Sequence, residues 1–230
     1  MRFLTNNLGA PYFYIPMIRR HRSHAPQVVF IQGFGNSPRA MNTIREHLVP
    51  KGYSCEAAPL GGLLGYLQTR GLKTAGSRLA SYLMDMPEGH QTWLVGHSMG
   101  GLIARWAVQH TEAACRVKGV ITIGTPHKGT PTALAGLAMG LGAISRATYQ
   151  IVPFSPAIRK LNKLPWPKDL PLHSIVSKRD LLCIHPFGML PFDNTEHVRS
   201  TVFSDLGHTE MLRSDKVLQT VTADIESTAL

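Results

Sequence analysis

Cysteine, charge and long apolar runs are all scarce in this chain of 230 residues. The three cysteines, Cys55, Cys115 and Cys183, are far apart and odd in number, so they indicate neither a disulfide framework nor a zinc ribbon. Charged residues make up 17% of the chain against 43% hydrophobic residues, which is a globular composition. No apolar run approaches the roughly 18 residues that a membrane-spanning helix needs. The length suits a single domain, residues 1–230, with a substantial core.

Negative charge is scarce as well. The 14 Asp and Glu residues face 24 Lys and Arg residues, which gives a formal net charge of +10. A basic surface attracts anionic partners, and the candidates are nucleic acid and an anionic membrane or lipid interface. We expect no nucleic-acid partner, because the clearest basic run, at residues 19–22, is short and lacks the interleaved aromatic side chains of a stacking groove.

We do not expect the N-terminal residues to form an export signal. Asn6, Asn7, Pro11 and Pro16 interrupt the apolar residues near the N-terminus, whereas a signal peptide needs an unbroken apolar core. The simplest expectation is a cytoplasmic protein, with association at a membrane surface left open. The sequence does not predict an oligomeric state.

Short apolar runs alternate with amphipathic segments along the chain. The predicted strands are residues 28–31, 53–58, 92–95, 117–123, 172–177 and 200–204, and the predicted helices are residues 39–49, 73–86, 99–110, 133–145 and 209–227. This alternation predicts an α/β fold with a central, mostly parallel sheet flanked by helices. Residues from about 129 to 167 contain no predicted strand. We expect this insertion, which follows a central strand, to form a cap over the carboxyl ends of the strands, where such sheets bind ligands.

The strongest motif is GHSMG at residues 96–100, which matches G-x-S-x-G. It follows a predicted strand and opens a predicted helix, which is the setting of a nucleophile elbow. The turn is so sharp that Gly96 and Gly100 are needed on either side, and the helix points its positive end at the hydroxyl. The pattern therefore predicts Ser98 as a nucleophile. An ordinary strand-to-helix turn is the alternative.

A second glycine-rich segment, QGFG at residues 32–35, follows the first predicted strand. Acyl transfer needs preorganised N–H donors for the developing oxyanion. One donor is expected from Met99, the residue after the nucleophile, and the other from the loop after an early strand. Phe34 is the best candidate for the second donor, and its side chain would then line the acyl pocket. The alternative is an ordinary glycine-rich turn.

A base and an acid must reach the nucleophile from loops at the same edge of the sheet. His208 lies between the last predicted strand and the last helix, whereas the runner-up, His197, precedes that strand. Asp180 follows the fifth predicted strand by three residues, which suits the chain order Ser, Asp, His. We predict His208 as the base and Asp180 as the acid, with Asp193 and Asp205 as the remaining candidates for the acid.

These segments together resemble the bacterial lipase and esterase branch of the α/β-hydrolase superfamily. GHSMGG at 96–101 is similar to the nucleophile elbow of these lipases. GTPHKGT at 124–130 is similar to the segment that follows their next strand, and LGHTEML at 206–212 is similar to the loop that carries their catalytic histidine. QGF at 32–34 resembles the oxyanion segment, although Gln32 stands where many relatives have histidine. The resemblance implies the α/β-hydrolase fold, a Ser-Asp-His triad and ester hydrolysis. Some relatives bind structural calcium, but no carboxylate cluster here demands it, so no metal or cofactor is expected.

The predicted reaction has two steps. His208 takes the proton of Ser98 as the hydroxyl attacks an ester carbonyl, and water then hydrolyses the acyl-enzyme. The same triad could hydrolyse thioesters or transfer the acyl group to an alcohol, and a non-catalytic binding protein could keep the fold. The complete set of Ser98, Asp180 and His208 argues against the last alternative.

The substrate is expected to be a small-molecule ester or lipid with an apolar acyl part. Leu137 and Leu141 of the insertion, with Phe34 and His97, are the predicted substrate contacts. Packing of the insertion on the sheet explains its apolar side chains equally well.

Overall fold

The computed structural model describes residues 27–61, 70–140, 145–193 and 195–227. The N-terminal segment used above to predict the absence of an export signal lies outside these residues, as do the basic run at 19–22 and residues 141–144. Among the residues described, no helix is both long and apolar enough to cross a membrane.

A six-stranded sheet forms the centre of the protein. Its strands are β1 (Val28–Ile31), β2 (Cys55–Ala57), β3 (Thr92–His97), β4 (Val117–Ile123), β5 (Leu172–Ser177) and β6 (Val198–Phe203). They are all parallel and lie in the order β2-β1-β3-β4-β5-β6. The predicted α/β class with a parallel sheet is confirmed. The chain reverses its direction of travel across the sheet after β2, so the loops after β1 and β3 meet at a switch point, where ligands bind in such sheets.

Helices cover both faces of the sheet. They are α1 (Asn42–Leu48), α2 (Leu72–Met84), α3 (Met99–His110), α4 (Thr132–Ala138), α5 (Arg146–Gln150), α6 (Pro156–Lys163) and α7 (Asp215–Ser227). Successive side chains of β1 point to opposite faces of the sheet and enter different cores. Val29 and Ile31 join the core beneath α2 and α3, whereas Val28 and Phe30 join the core beneath α1 and α7. Both faces of the strand are buried, which explains its unbroken apolar sequence.

Three helix boundaries differ from the predictions by about three residues or more. The predicted helix 39–49 begins as a 3₁₀ turn at Pro38–Met41, and the closing helix begins at Asp215 after a separate 3₁₀ turn at Glu210–Leu212. The predicted helix 133–145 ends at Ala138, and Gly140 follows with a φ of +84°. A left-handed glycine just after the last turn is a common helix terminator.

The insertion between β4 and β5 contains two helices that the sequence analysis missed. Beyond the helix predicted at 133–145, no regular element was expected in this insertion, but α5 and α6 form. At α6, Ser155 accepts a hydrogen bond from the N–H of Ile158 at 3.2 Å, and Pro156 takes the first helical position, which is a favourable helix start. Ile158 and Leu161 pack into the core beside α3. At least this part of the insertion therefore lies against the domain, and its role as a cap stays a prediction.

Candidate active site

Ser98 occupies the turn between β3 and α3. Its φ of 53° and ψ of −127° lie outside the regions that non-glycine residues ordinarily adopt. Its N–H donates to the carbonyl of Ile123 at 2.8 Å, and its own carbonyl accepts from the Thr125 hydroxyl at 2.9 Å. A Cβ on Gly96 would lie 2.6 Å from the backbone nitrogen of Gly101, and one on Gly100 would lie 2.0 Å from the carbonyl oxygen of Ile31. The two glycines therefore permit the turn that lifts the half-buried serine above the sheet.

The loop after β1 approaches Ser98 closely. A Cβ on the buried Gly33 would lie 2.8 Å from the Cβ of Ser98 and 3.4 Å from its Oγ. Phe34 follows directly and packs its ring, partly buried, against the core beneath α2 and α3. Met99, the other predicted oxyanion donor, is the first residue of α3 and is fully buried. The segment carrying the Phe34 N–H thus lies against the serine, and the donor roles of Phe34 and Met99 stay predictions.

Asp180 and His208 form a hydrogen-bonded pair. Nδ1 of His208 donates to Oδ2 of Asp180 at 2.7 Å. The other carboxylate oxygen, Oδ1, accepts from the backbone N–H groups of Leu182 at 2.8 Å and Cys183 at 2.7 Å. Burial disfavours the charged carboxylate, but His208 and the two N–H groups outweigh it, so that the pKa of Asp180 lies below its ordinary value. An ionised Asp180 holds the Nδ1–H tautomer of His208 and leaves Nε2 as the proton acceptor.

Three loops at the carboxyl ends of neighbouring strands position this pair. Asp180 follows β5 and His208 follows β6, and the Ser177 hydroxyl joins the two loops by accepting from the N–H of Leu206 at 3.2 Å. Gly124, directly after β4, has a φ of +56°. A Cβ on this glycine would lie 3.1 Å from Nδ1 of His208 and 3.2 Å from Oδ2 of Asp180. Gly124 therefore leaves the room that the pair occupies.

His97 connects the serine turn to the histidine loop. Its ring lies 4.7 Å, centroid to centroid, from the ring of His208, and its Nε2 donates to the backbone carbonyl of His208 at 3.3 Å. Because Ser98 is the next residue, the predicted nucleophile and base are linked through one side chain. No hydrogen bond joins Ser98 to His208 among the described residues, and such contacts are often long before substrate binds.

The other predicted substrate contacts lie in different places. His97, predicted as a substrate contact, is fully buried and packs on His208. Burial, and then the charge of His208, lowers the pKa of His97 to about 3. Phe34 is partly exposed beside the serine loop, Leu137 is half-exposed on α4, and Leu141 lies outside the described residues.

The remaining candidates for acid and base are not part of this cluster. Asp205 is exposed and pairs with Lys216 at 3.0 Å. Asp193 lines a separate cleft, described below. His197 precedes β6, and its carbonyl accepts from the N–H of Leu172 at the opposite end of the sheet from the serine.

A buried polar network behind the serine went unpredicted. Arg105 of α3 is fully buried, and its guanidinium donates to Nδ1 of His127 at 3.2 Å and to the carbonyl of Leu161 at 3.3 Å. Nε2 of His127 in turn donates to the Thr122 hydroxyl at 3.0 Å. Burial lowers the pKa of Arg105 to about 9 and that of His127 well below its ordinary value. The signal in the sequence was the single arginine among the apolar and small residues of α3. The network indicates that the histidine of TPHKGT, His127, supports the fold.

Metal ligands are not clustered in the part of the chain that the structure describes. No group of three or more His, Cys, Asp or Glu side chains there could hold a metal ion.

Comparison with known proteins supports the fold assignment. Residues 68–143, about a third of the chain, match the family model of the PGAP1-like alpha/beta domain. No curated protein sequence matches the chain.

Several solved structures are similar across most of the chain. The mature lipase BlEst2 of Bacillus licheniformis has a TM-score of 0.70 at 18% identity, covering 87% of this chain and 91% of that one. The monoacylglycerol lipase of Paleococcus ferrophilus has a TM-score of 0.64 at 18% identity, covering 89% and 95%. The esterase EaEST of Exiguobacterium antarcticum has a TM-score of 0.64 at 17% identity, covering 88% and 92%. The chain therefore has the α/β-hydrolase fold, and the bacterial lipases and esterases of that superfamily are among its structural neighbours.

Proposed function

We propose that this protein is a serine hydrolase that cleaves carboxylic esters of apolar acyl groups through an acyl-enzyme on Ser98. The observation that carries the proposal is the hydrogen-bonded pair of Asp180 and His208, held beside the strained Ser98 turn. The residues come from three loops at one edge of the sheet. Packing of the fold does not by itself require a buried carboxylate such as Asp180 to fix the tautomer of a histidine at this edge of the sheet. Such a pair is typical of a catalytic site.

In the proposed mechanism, His208 acts as general base and then as general acid. Its Nε2 accepts the proton of the Ser98 hydroxyl as the oxygen attacks the ester carbonyl, and later protonates the leaving alcohol. Asp180 stabilises the imidazolium that forms between these steps. The N–H groups of Phe34 and Met99 are the proposed donors to the oxyanion, and water repeats the sequence to release the acid.

Exposed apolar side chains around the Asp180 loop support an apolar acyl group. Leu181 and Leu182 of that loop are 79% and 54% exposed, and Leu134 and Met139 of the neighbouring insertion are 54% and 82% exposed. The hydroxyls of Thr130 and Thr132 donate to the carbonyl of Leu182 at 2.6 and 2.8 Å, which holds the two segments together. Exposed apolar surface beside a site favours apolar ligands or a lipid interface. Among the structural neighbours, one is a monoacylglycerol lipase.

The test is hydrolysis of p-nitrophenyl esters from acetate to palmitate by the wild-type protein and by Ser98→Ala. We expect the substitution to lower kcat at least about 10³-fold, because the nucleophile of a triad is lost. Labelling by a fluorophosphonate should disappear with it. The matched control is Ser204→Ala, which removes an exposed hydroxyl after β6 and should leave both readouts unchanged.

Each other outcome contradicts part of the proposal. Equal labelling of Ser98→Ala and wild type would exclude Ser98 as the nucleophile. Labelling of Ser98 without turnover of any ester would exclude simple esters, and the assay would then move to acyl-thioesters and acyl transfer to alcohols. An optimum at acetate would exclude a long acyl chain.

A further inference from the structure

A cleft of about 700 Å³ lies between α6 and residues 187–193. Ser98, Asp180 and His208 do not line it. Four large apolar side chains form much of its wall, namely Phe154, Ile158, Phe187 and Phe192. The volume falls in the range of small-molecule sites, which are typically apolar with a few polar groups.

The charged side chains of the cleft are unequal in sign. Lys128, Arg159 and Lys163 contribute three positive charges, against the single carboxylate of Asp193. Arg159 and Lys163 lie one turn apart on α6, both exposed, so they present neighbouring cations along one wall. Cations at the edge of an apolar cleft favour a ligand with an anionic head and an apolar body.

A buried cation, Arg105, lies behind the wall of the cleft and adds to the positive potential of these side chains. The guanidinium of Arg105 lies 4.8 Å from the centroid of the Phe192 ring, whose side chain also lines the cleft. Within the described residues no carboxylate pairs with Arg105, and its partners are neutral. A charge in a low-dielectric interior is weakly screened, so the positive potential extends through the Phe192 wall.

Phe154 has an unusual backbone conformation at the edge of the cleft. Its φ is +61°, and among the described non-glycine residues only Ser98 also has a positive φ. Its side chain is 72% exposed. Backbone strain of this kind concentrates at catalytic sites and ligand clamps. Among the described residues, the two buried apolar clusters do not include Phe154, so core packing does not explain its conformation.

We propose that this cleft binds a long-chain carboxylate, with the chain along Phe154 and Phe192 and the head group between Arg159 and Lys163. The cleft is open to solvent, and its volume of about 700 Å³ suits a single amphiphile. Hydrolysis of an apolar acyl ester, as proposed for Ser98, releases a carboxylate of this kind, although the binding itself does not depend on that activity.

The experiment measures binding of cis-parinaric acid, a fluorescent long-chain carboxylate, below its micellar concentration. All variants are made in the Ser98→Ala background, so that a failure of the proposed ester hydrolysis would not affect the result. The double variant Arg159→Glu with Lys163→Glu should raise Kd at least tenfold. The matched control, Arg45→Glu with Lys51→Glu, makes the same charge change at exposed positions in and just after α1 and should change Kd less than twofold.

A second variant tests the apolar wall. Phe154→Asn replaces the ring by a residue that tolerates positive φ, so Kd should rise severalfold with no fall in the unfolding midpoint. The alcohol of the same chain should bind at least tenfold more weakly than the acid. The proposal would be overturned if the two charge-reversal variants had equal effects on Kd, or if acid and alcohol bound equally well. It would also be overturned by binding only to phosphatidylglycerol vesicles, which would favour a membrane surface as the partner.

Discussion

At the scale of single residues, Asp180 uses its two carboxylate oxygens for different purposes. Oδ1 accepts two backbone N–H groups of its own loop, and Oδ2 accepts Nδ1–H of His208. One oxygen therefore fixes the loop and the other fixes the imidazole. An amide at this position could keep only one of these functions, because its nitrogen donates and does not accept.

We expect Asp180→Asn to lower kcat about 10³- to 10⁴-fold. If the amide oxygen keeps the loop contacts, its NH₂ group faces His208 and forces the tautomer in which Nε2 carries the proton and cannot accept one. KM should change little. Steady-state kinetics on the best ester measure the effect, with Asp205→Asn as control because that exposed carboxylate pairs with Lys216. Activity of Asp180→Asn within tenfold of wild type would show that another group orients the base.

His97 illustrates the limit of a motif at this scale. The pattern G-x-S-x-G specifies the backbone of the turn but leaves open which way the variable side chain points. In the structure, the side chain of His97 is buried and contacts His208. The direction depends on the alternation of β3 and on a loop that is more than 100 residues away in sequence. Local sequence could not reveal this contact.

At the scale of elements, the close approach of α3 to the end of β1 places the serine turn against the predicted oxyanion loop. Gly100, in the first turn of α3, leaves no room for a side chain, because the nearest atoms to an added Cβ are the backbone oxygens and carbon of Ile31 and Gln32. Backbone atoms of a central strand cannot move aside as a flexible side chain would.

We therefore expect Gly100→Ala to destabilise the protein by about 2–3 kcal/mol, as overpacking does. The sign of this change in the free energy of unfolding tests the packing, because alanine in place of a helical glycine ordinarily stabilises a protein by about 0.5–1 kcal/mol. Urea unfolding measures the change, and the rate of fluorophosphonate labelling should fall with it because the two segments are pushed apart. An unchanged or higher free energy of unfolding would contradict the packing described here.

The strands were more predictable than the helices of the insertion. The pattern located all six strands, the edge strands β2 and β6 included, to within two residues at each end. Helix α6 was not predicted, although Ser155 and Pro156 form a favourable helix start. Its stability depends on Ile158 and Leu161 packing beside α3, which is a tertiary contact.

At the scale of the whole molecule, buried histidines make stability depend on pH. His97 and His127 are fully buried, and burial lowers the pKa of both, that of His97 to about 3. Below about pH 6.5 the unfolded chain binds protons at these positions while the folded chain does not. We therefore expect these histidines to lower the free energy of unfolding as the pH drops below about 6.5, by about 1.4 kcal/mol per pH unit for each of them.

We expect His97→Gln to flatten this dependence by about 1.4 kcal/mol per pH unit between about pH 4 and 6. Glutamine keeps an N–H donor for the carbonyl of His208 but does not titrate. Urea unfolding at closely spaced pH values measures the slope. Above about pH 7 the difference between variant and wild type should be constant, which serves as the internal control. Parallel curves down to pH 4 would show that His97 is not held neutral by burial.

Local sequence patterns were enough to predict the fold class, the order of the strands along the chain and the turn that carries Ser98, because these follow from local periodicity and from glycines at fixed spacing. Only the tertiary structure brought Asp180 to His208, placed Gly124 beside them, buried His97 against the imidazole and left Arg105 behind the Phe192 wall. The reason is physical: each of these contacts joins side chains from separate strands and loops, and their distances are set by how the sheet twists and packs rather than by any neighbouring sequence.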